Sequence, residues 1–223
     1  MNHMNNYRII EVSQWMDDFL FCGDQEFIVS GPFNRVSGQN PEFVYDFKMC
    51  SQSGTHIQGP HYFLEFGNQI ADFPLSSFEG AAVLIDIEKR GIDTTRDDLA
   101  TKLGTDSVSN EILVLRTGHM EEIIASGSND PMKRPGLSLD AADYLAEDCG
   151  VKMIAIDSIG VESRATENYE VNRFLCEKKV LLLEGLINLK EIKSRRFFLE
   201  AFPLKIRGVE GTPCRAIIKG PIG

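Results

Sequence analysis

The sequence predicts an α/β protein rich in β-sheet and poor in helices. Strand-length apolar runs, alternating or continuous, recur along the chain, and only two or three stretches read as helix. The composition, 43% hydrophobic and 25% charged over 223 residues, is that of an ordinary globular chain able to bury a sizeable core.

The elements follow in order. Over residues 43–49, Phe43, Tyr45, Phe47 and Met49 alternate with Val44, Asp46 and Lys48, which predicts a half-buried strand. Residues 81–87 and 112–115 are short apolar runs suited to buried strands. Residues 126–135, with Gly127, Asn129, Pro131 and Pro135, read as a surface loop. Ser138 is placed to cap a helix over 139–148, with Asp140 in its first turn and Gly150 just past its end. A strand over 151–156, a helix over 168–178 and a strand over 180–184 come next. Strands over 197–206 and 213–219 join through a turn at 208–211. No repeat or composition shift divides the chain, so one domain, 1–223, is expected, with residues 1–6 disordered.

Charge excludes some partners. Lys and Arg number 23 against 33 Asp and Glu, a net charge of −10, which repels nucleic acid and anionic membranes. No apolar run is long enough to span a bilayer, and the N-terminus lacks the pattern of a secretory signal. Cys22, Cys50, Cys149, Cys176 and Cys214 lie far apart with no C-x-x-C pair, which suits reduced thiols and a cytoplasmic location.

The most informative stretch is Gln52-Ser53-Gly54-Thr55-His56-Ile57-Gln58-Gly59-Pro60-His61-Tyr62-Phe63. If extended, it puts Gln52, His56 and Gln58 on one face, with Gly54 leaving a gap between them. A loop with a structurally hydrogen-bonded histidine is the other reading, and the residues alone favour it.

Here the chain resembles the cyclase and kynurenine formamidase family of metal-dependent hydrolases, whose motif is His-x-Gly-Thr-His-x-Asp-x-Pro-x-His. Gly54-Thr55-His56 and Pro60 match it. Further stretches follow in family order along nearly the whole chain. They are Phe21-Cys22-Gly23-Asp24, Phe73-Pro74-Leu75 with Gly80, Leu115-Arg116-Thr117-Gly118, Arg134-Pro135-Gly136-Leu137-Ser138, Ile156-Asp157-Ser158, and the run from Val180 through Glu184 to Leu186. The resemblance implies a mixed, sheet-rich core of the swivelling β/β/α cyclase type with few helices. It also implies one or two divalent cations held by histidines, an Asp and a Glu, and homodimers or homotetramers.

The metal positions depart from that pattern. Gln52 stands for the first His, Gln58 for the Asp, and Asn172 for a later His, so only His56 and Glu184 remain. Amides are poor zinc ligands, so no resident metal is expected. The alternative is one Zn or Mn at His56 and Glu184. Without metal, His56 and Glu184 form an imidazole–carboxylate pair for acid–base work, with Gln52, Gln58 and Asn172 binding substrate. Tyr62 takes the position of the last motif histidine, and His61, one residue earlier, is the other candidate there. His119 is weighed equally as a pocket residue or a solvated loop residue. Trp15 is expected at the pocket mouth or in the core, and the acid pairs Asp17-Asp18, Asp97-Asp98 and Glu121-Glu122 as solvated charges.

The sequence therefore predicts an enzyme that acts on a small carbonyl-bearing, cyclic or cyclisable molecule. The rivals are a one-metal amide, lactam or formamide hydrolase, and an inactive relative that binds a small ligand or a protein.

Overall fold

Runs that are apolar at every position must be covered on both faces, and here they build the middle of a sheet. The computed structural model describes residues 7–20, 26–33, 42–88, 91–130, 133–162 and 168–221. Four strands run parallel side by side: β5 (Glu79–Asp86), β6 (Ile112–Arg116), β7 (Met153–Ile156) and β8 (Leu181–Glu184). Helices α1 (Arg96–Leu103), α2 (His119–Ser126), α3 (Leu139–Asp143) and α4 (Glu170–Glu177) lie in the crossovers between them. The rest of the sheet is antiparallel: β1 (Tyr7–Glu11), β4 (His56–Gln58), β9 (Arg196–Pro203) and β10 (Gly211–Pro221).

The order is β1-β10-β4-β8-β7-β6-β5-β9, and β9 also pairs with β10, which curls the sheet into a barrel-like ring. Alternation then divides the core. Ile57, Leu84, Val114, Ala155, Leu183 and Ile218 fill one side of the sheet. Val83, Leu113, Ile154 and Leu182 face the helices and meet Leu99, Ala142, Val171 and Leu175. The fold is thus the sheet-rich, helix-poor α/β class. No helix among the described residues is long and apolar enough to cross a membrane.

Several local expectations differ. Residues 43–49 do contain a strand, β3 (Val44–Lys48), paired with β2 (Ile28–Phe33), but this hairpin forms a sheet of its own and is exposed rather than half-buried. Among the described residues nothing covers its apolar face. Helices α1 and α2 were not anticipated, although Thr95 and Asp98 form a reciprocal capping box at the start of α1. The 139–148 helix is α-helical only to Asp143 and continues as a π-turn over Tyr144–Asp148. Ser138 stands at its N-cap without a capping hydrogen bond and donates instead to the Thr94 carbonyl at 3.0 Å. The acid pairs are not all merely solvated. Asp98 caps α1, Asp18 accepts from the Trp15 N–H, and Glu121 accepts from Asn188 N and Lys190 Nζ. The 21–24 turn, Cys22, Pro131 and residues 1–6 lie outside the described residues.

Candidate active site

The centre of the site is a sheet register. β4 runs antiparallel to β8 with His56 directly opposite Glu184 and Gln58 opposite Leu182. Directly opposed residues share a face, so the imidazole and the carboxylate meet, and Gln58 lies diagonally within reach. His56 Nε2 lies 3.5 Å from Glu184 Oε2, and Gln58 Nε2 donates to Glu184 Oε1 at 3.1 Å. His56 and Glu184 are only 7% and 4% exposed.

The loop before β4 orients the ring. Gly54 adopts a left-handed φ of 62°, which brings its carbonyl 3.0 Å from His56 Nδ1. Nδ1 donates that bond, so Nε2 is the nitrogen left on the Glu184 side. Thr55 Oγ1 donates to the Gly185 carbonyl at 2.7 Å and accepts from Gln14 N at 3.0 Å, which fastens the loop to the end of β8. The approach is close: a Cβ on Gly185, whose φ is 73°, would lie 2.6 Å from Gln14 Nε2.

Segment 52–63 is extended only over β4. Gln52 sits in the preceding turn, so the strand periodicity that grouped it with His56 and Gln58 does not apply. It reaches the site all the same, donating from Nε2 to Gln58 Oε1 at 2.9 Å. Gln52, Gln58 and Glu184 thereby form a chain of amides ending on a carboxylate. Tyr62 hydrogen-bonds Gln52, and burial pushes its phenol pKa above the ordinary tyrosine value despite that bond.

A cavity of about 330 Å³ gathers these groups at the carboxyl end of β8, where open α/β sheets bind ligands. Gln52, His56, Gln58, Tyr62, Asn172 and Glu184 all line it. Phe19, Leu20, Met120, Ile159 and Tyr169 give it apolar walls. Asn172 comes from α4, whose first N–H groups at Val171 and Asn172 are held by Glu162 at 3.2 and 2.9 Å.

Three expected residues are elsewhere. His61 lies in the 3-10 turn Pro60–Tyr62 and is not among the lining residues, because the chain rotates out of the strand there. His119 is neither a residue of this cavity nor a solvated loop residue. It begins α2, is 2% exposed, and its Nδ1 lies 2.8 Å from Ser158 Oγ beside a separate pocket of about 120 Å³. Trp15 is 78% exposed and lines neither cavity nor core; Gln14 beside it faces inward instead. Gln14, Arg134 and Glu162 line the cavity without having been singled out from the sequence.

The donor set does not suit a resident zinc or manganese ion. One imidazole and one carboxylate are joined by amides, and the amide N–H groups of Gln58 point at the carboxylate. Among the described residues no group of three or more His, Cys, Asp or Glu side chains is arranged to hold a metal.

Comparison with known proteins gives a consistent picture. A family model described as "Putative cyclase" matches residues 8–163. A kynurenine formamidase of Salinibacter ruber is 25% identical over 201 residues, covering 88% of this chain and 89% of that one. Another, of Erythrobacter litoralis, is 28% identical over 223 residues, covering 95% and 94%. Among solved structures, isatin hydrolase A from Labrenzia aggregata superposes with a TM-score of 0.85 at 18% identity, over 97% of this chain and 95% of that one. A predicted metal-dependent hydrolase from Bacillus stearothermophilus gives 0.74 at 24% identity, over 96% and 98%. At these identities the structural likeness concerns the fold.

Proposed function

The chain belongs to the Putative cyclase family, and from that premise we propose that it is an enzyme working by acid–base chemistry at His56 and Glu184 on a small carbonyl-bearing, cyclic or cyclisable molecule. The observation that carries this reading is the opposed register of His56 and Glu184 on the floor of a ligand-sized cavity. His56 accepts a substrate proton at Nε2 while Glu184 stabilises the imidazolium. The proton returns to another atom of the same molecule, so the net change is enolisation, ring closure or loss of water. Gln52, Gln58 and Asn172 offer amides to the carbonyl, and Tyr62 a neutral hydroxyl donor.

A second reading, a formamide, amide or lactam hydrolase using one Zn or Mn at His56 and Glu184, is favoured by the kynurenine formamidases and metal-dependent hydrolases among its relatives. The test is elemental analysis after dialysis, with turnover measured in chelator and in His56→Ala. The expected outcome is far less than one metal per chain, activity that survives chelator, and a loss of about 10²–10⁴-fold in the variant. Stoichiometric metal and collapse in chelator would establish the hydrolase instead. Turnover unaffected by His56→Ala would end the acid–base proposal, and no turnover in any form would leave a binding protein.

The assembly proposed is a homodimer or homotetramer. It is supported by the β2–β3 hairpin, which exposes Ile28, Val29, Phe33, Tyr45 and Phe47. Two-stranded ribbons are marginal in water, and an apolar surface of this kind suits a partner. Phe47→Lys is expected to lower the mass found by light scattering to that of one chain; a wild type already monomeric would refute the assembly.

A further inference from the structure

Arg134 is the only lysine or arginine among the described residues that line the cavity, in a chain of net charge −10. The backbone just after it is firmly seated. Thr94 N donates to the Gly136 carbonyl at 2.8 Å, and Leu137 N donates to Val161 O at 2.9 Å. A Cβ on Gly136 would fall 2.5 Å from Asp93 Oδ1, so the packing there leaves no slack. Yet the buried Nε of Arg134 has no hydrogen-bond partner, and no carboxylate among the described residues pairs with the guanidinium. Glu162 shares the cavity wall, but its two oxygens serve the N–H groups of Val171 and Asn172.

Two acceptors also lack partners. Gln14 is 8% exposed, and its Nε2 is committed to the Gly185 carbonyl at 3.1 Å, which fixes Oε1 as an acceptor with nothing to accept. Asn172 is 5% exposed, and its Oδ1 is unpartnered too. Buried polar groups are almost always satisfied, and groups left open toward a cavity are completed by what occupies it. An unpaired guanidinium calls for an anion, best a planar one that takes two parallel N–H bonds.

We propose that Arg134 seats a carboxylate of the substrate while Gln14 and Asn172 accept hydrogen bonds from a hydroxyl or amino group on the same molecule. The substrate class is then a small carbonyl-bearing carboxylic acid with a hydroxyl or amino substituent. A monoanion is favoured over a phosphate because a single guanidinium faces it and the Glu184 and Glu162 carboxylates share the cavity. This rests on the reading of the cavity as a substrate site.

The test is binding, not turnover, so it stands apart from the acid–base proposal. Benzoate, salicylate and phenylpyruvate are titrated against benzamide, salicylamide and phenylacetone, their uncharged counterparts, by ligand-observed NMR. The acids are expected to bind at least about tenfold more tightly than the uncharged compounds. Arg134→Met is expected to erase that preference and Arg134→Lys to keep part of it, so the lysine variant decides if the methionine variant fails to fold. Equal binding of acids and uncharged compounds, a preference that survives Arg134→Met, or no acid binding up to about 10 mM would each overturn the assignment.

Discussion

Two buried carboxylates stand near the carboxyl ends of adjacent parallel strands, each with a buried histidine nearby, and they have opposite surroundings. Asp157, just after β7, is 2% exposed and fully engaged by its own chain: Thr117 N at 2.6 Å, Thr117 Oγ1 at 2.7 Å and Gly118 N at 2.7 Å. It ties the end of β6 to the start of α2, and His119 beside it closes onto Ser158. Among the described residues, the Glu184 carboxylate at the end of β8 meets the Gln58 amide and the His56 ring, and Gly160 leaves space in front of it. Burial alone therefore does not mark a reactive acid. A carboxylate saturated by backbone donors holds the fold, and one held by movable side chains beside a cavity is left with capacity for chemistry.

The comparison can be broken most sharply at the carboxylates themselves. Asp157→Asn replaces an acceptor with an N–H₂ group facing backbone donors and is expected to cost about 3 kcal/mol, or roughly 6–12 °C in Tm. Glu184→Gln keeps an acceptor for His56 and is expected to leave Tm nearly unchanged while lowering turnover about tenfold or more. Thermal melts and kinetics on both variants decide this; a stable but inactive Asp157→Asn would reverse the assignment. The histidines give a smaller contrast. His119→Leu is expected to cost about 1–2 kcal/mol by unpairing Ser158, with kcat/KM retained in the folded protein. A loss of turnover without a loss of stability would move His119 into the site.

The smallest effect concerns Tyr62. Burial raises its pKa, so the folded state favours the neutral phenol. Its contribution is complete below the unfolded value of about 10 and is lost as pH rises from there through the folded pKa. Tyr62→Phe is therefore expected to flatten the fall in Tm between about pH 9 and 11 and to reduce turnover only a few-fold. An unchanged alkaline slope would show that the phenol is not desolvated.

What was legible in the sequence follows from how far each signal reaches. β5 to β8 were readable because strands covered on both faces carry continuous apolar runs, as in residues 112–115. The hairpin was misjudged because Phe43, Tyr45 and Phe47 spell a buried face whether or not the chain supplies its cover. His56 and Glu184 were named through the resemblance, and the register that joins them connects strands far apart in the chain. Gln52 was grouped with His56 and Gln58 by a strand period that its turn does not obey. Trp15 and His119 were weighed as pocket residues through the resemblance, but the residues on the wall are their neighbours Gln14 and Met120. Arg134 carried a usable signal: a cation directly before Pro135-Gly136, next to Lys133, inside a stretch already noted for other reasons.

β10 has a consequence for the order in which this protein comes together. Its first residues pair with β4, its middle with β9 and its last with β1, so one strand both closes the ring and braces the segment that bears His56. Gln58 waits 126 residues for Glu184, and longer for Gly211 on its other side. Contacts so distant in the chain are made late, after the entropy of large loops has been overcome. The nascent chain thus holds its histidine apart from its carboxylate for most of its synthesis, and the cavity exists only once the barrel has shut.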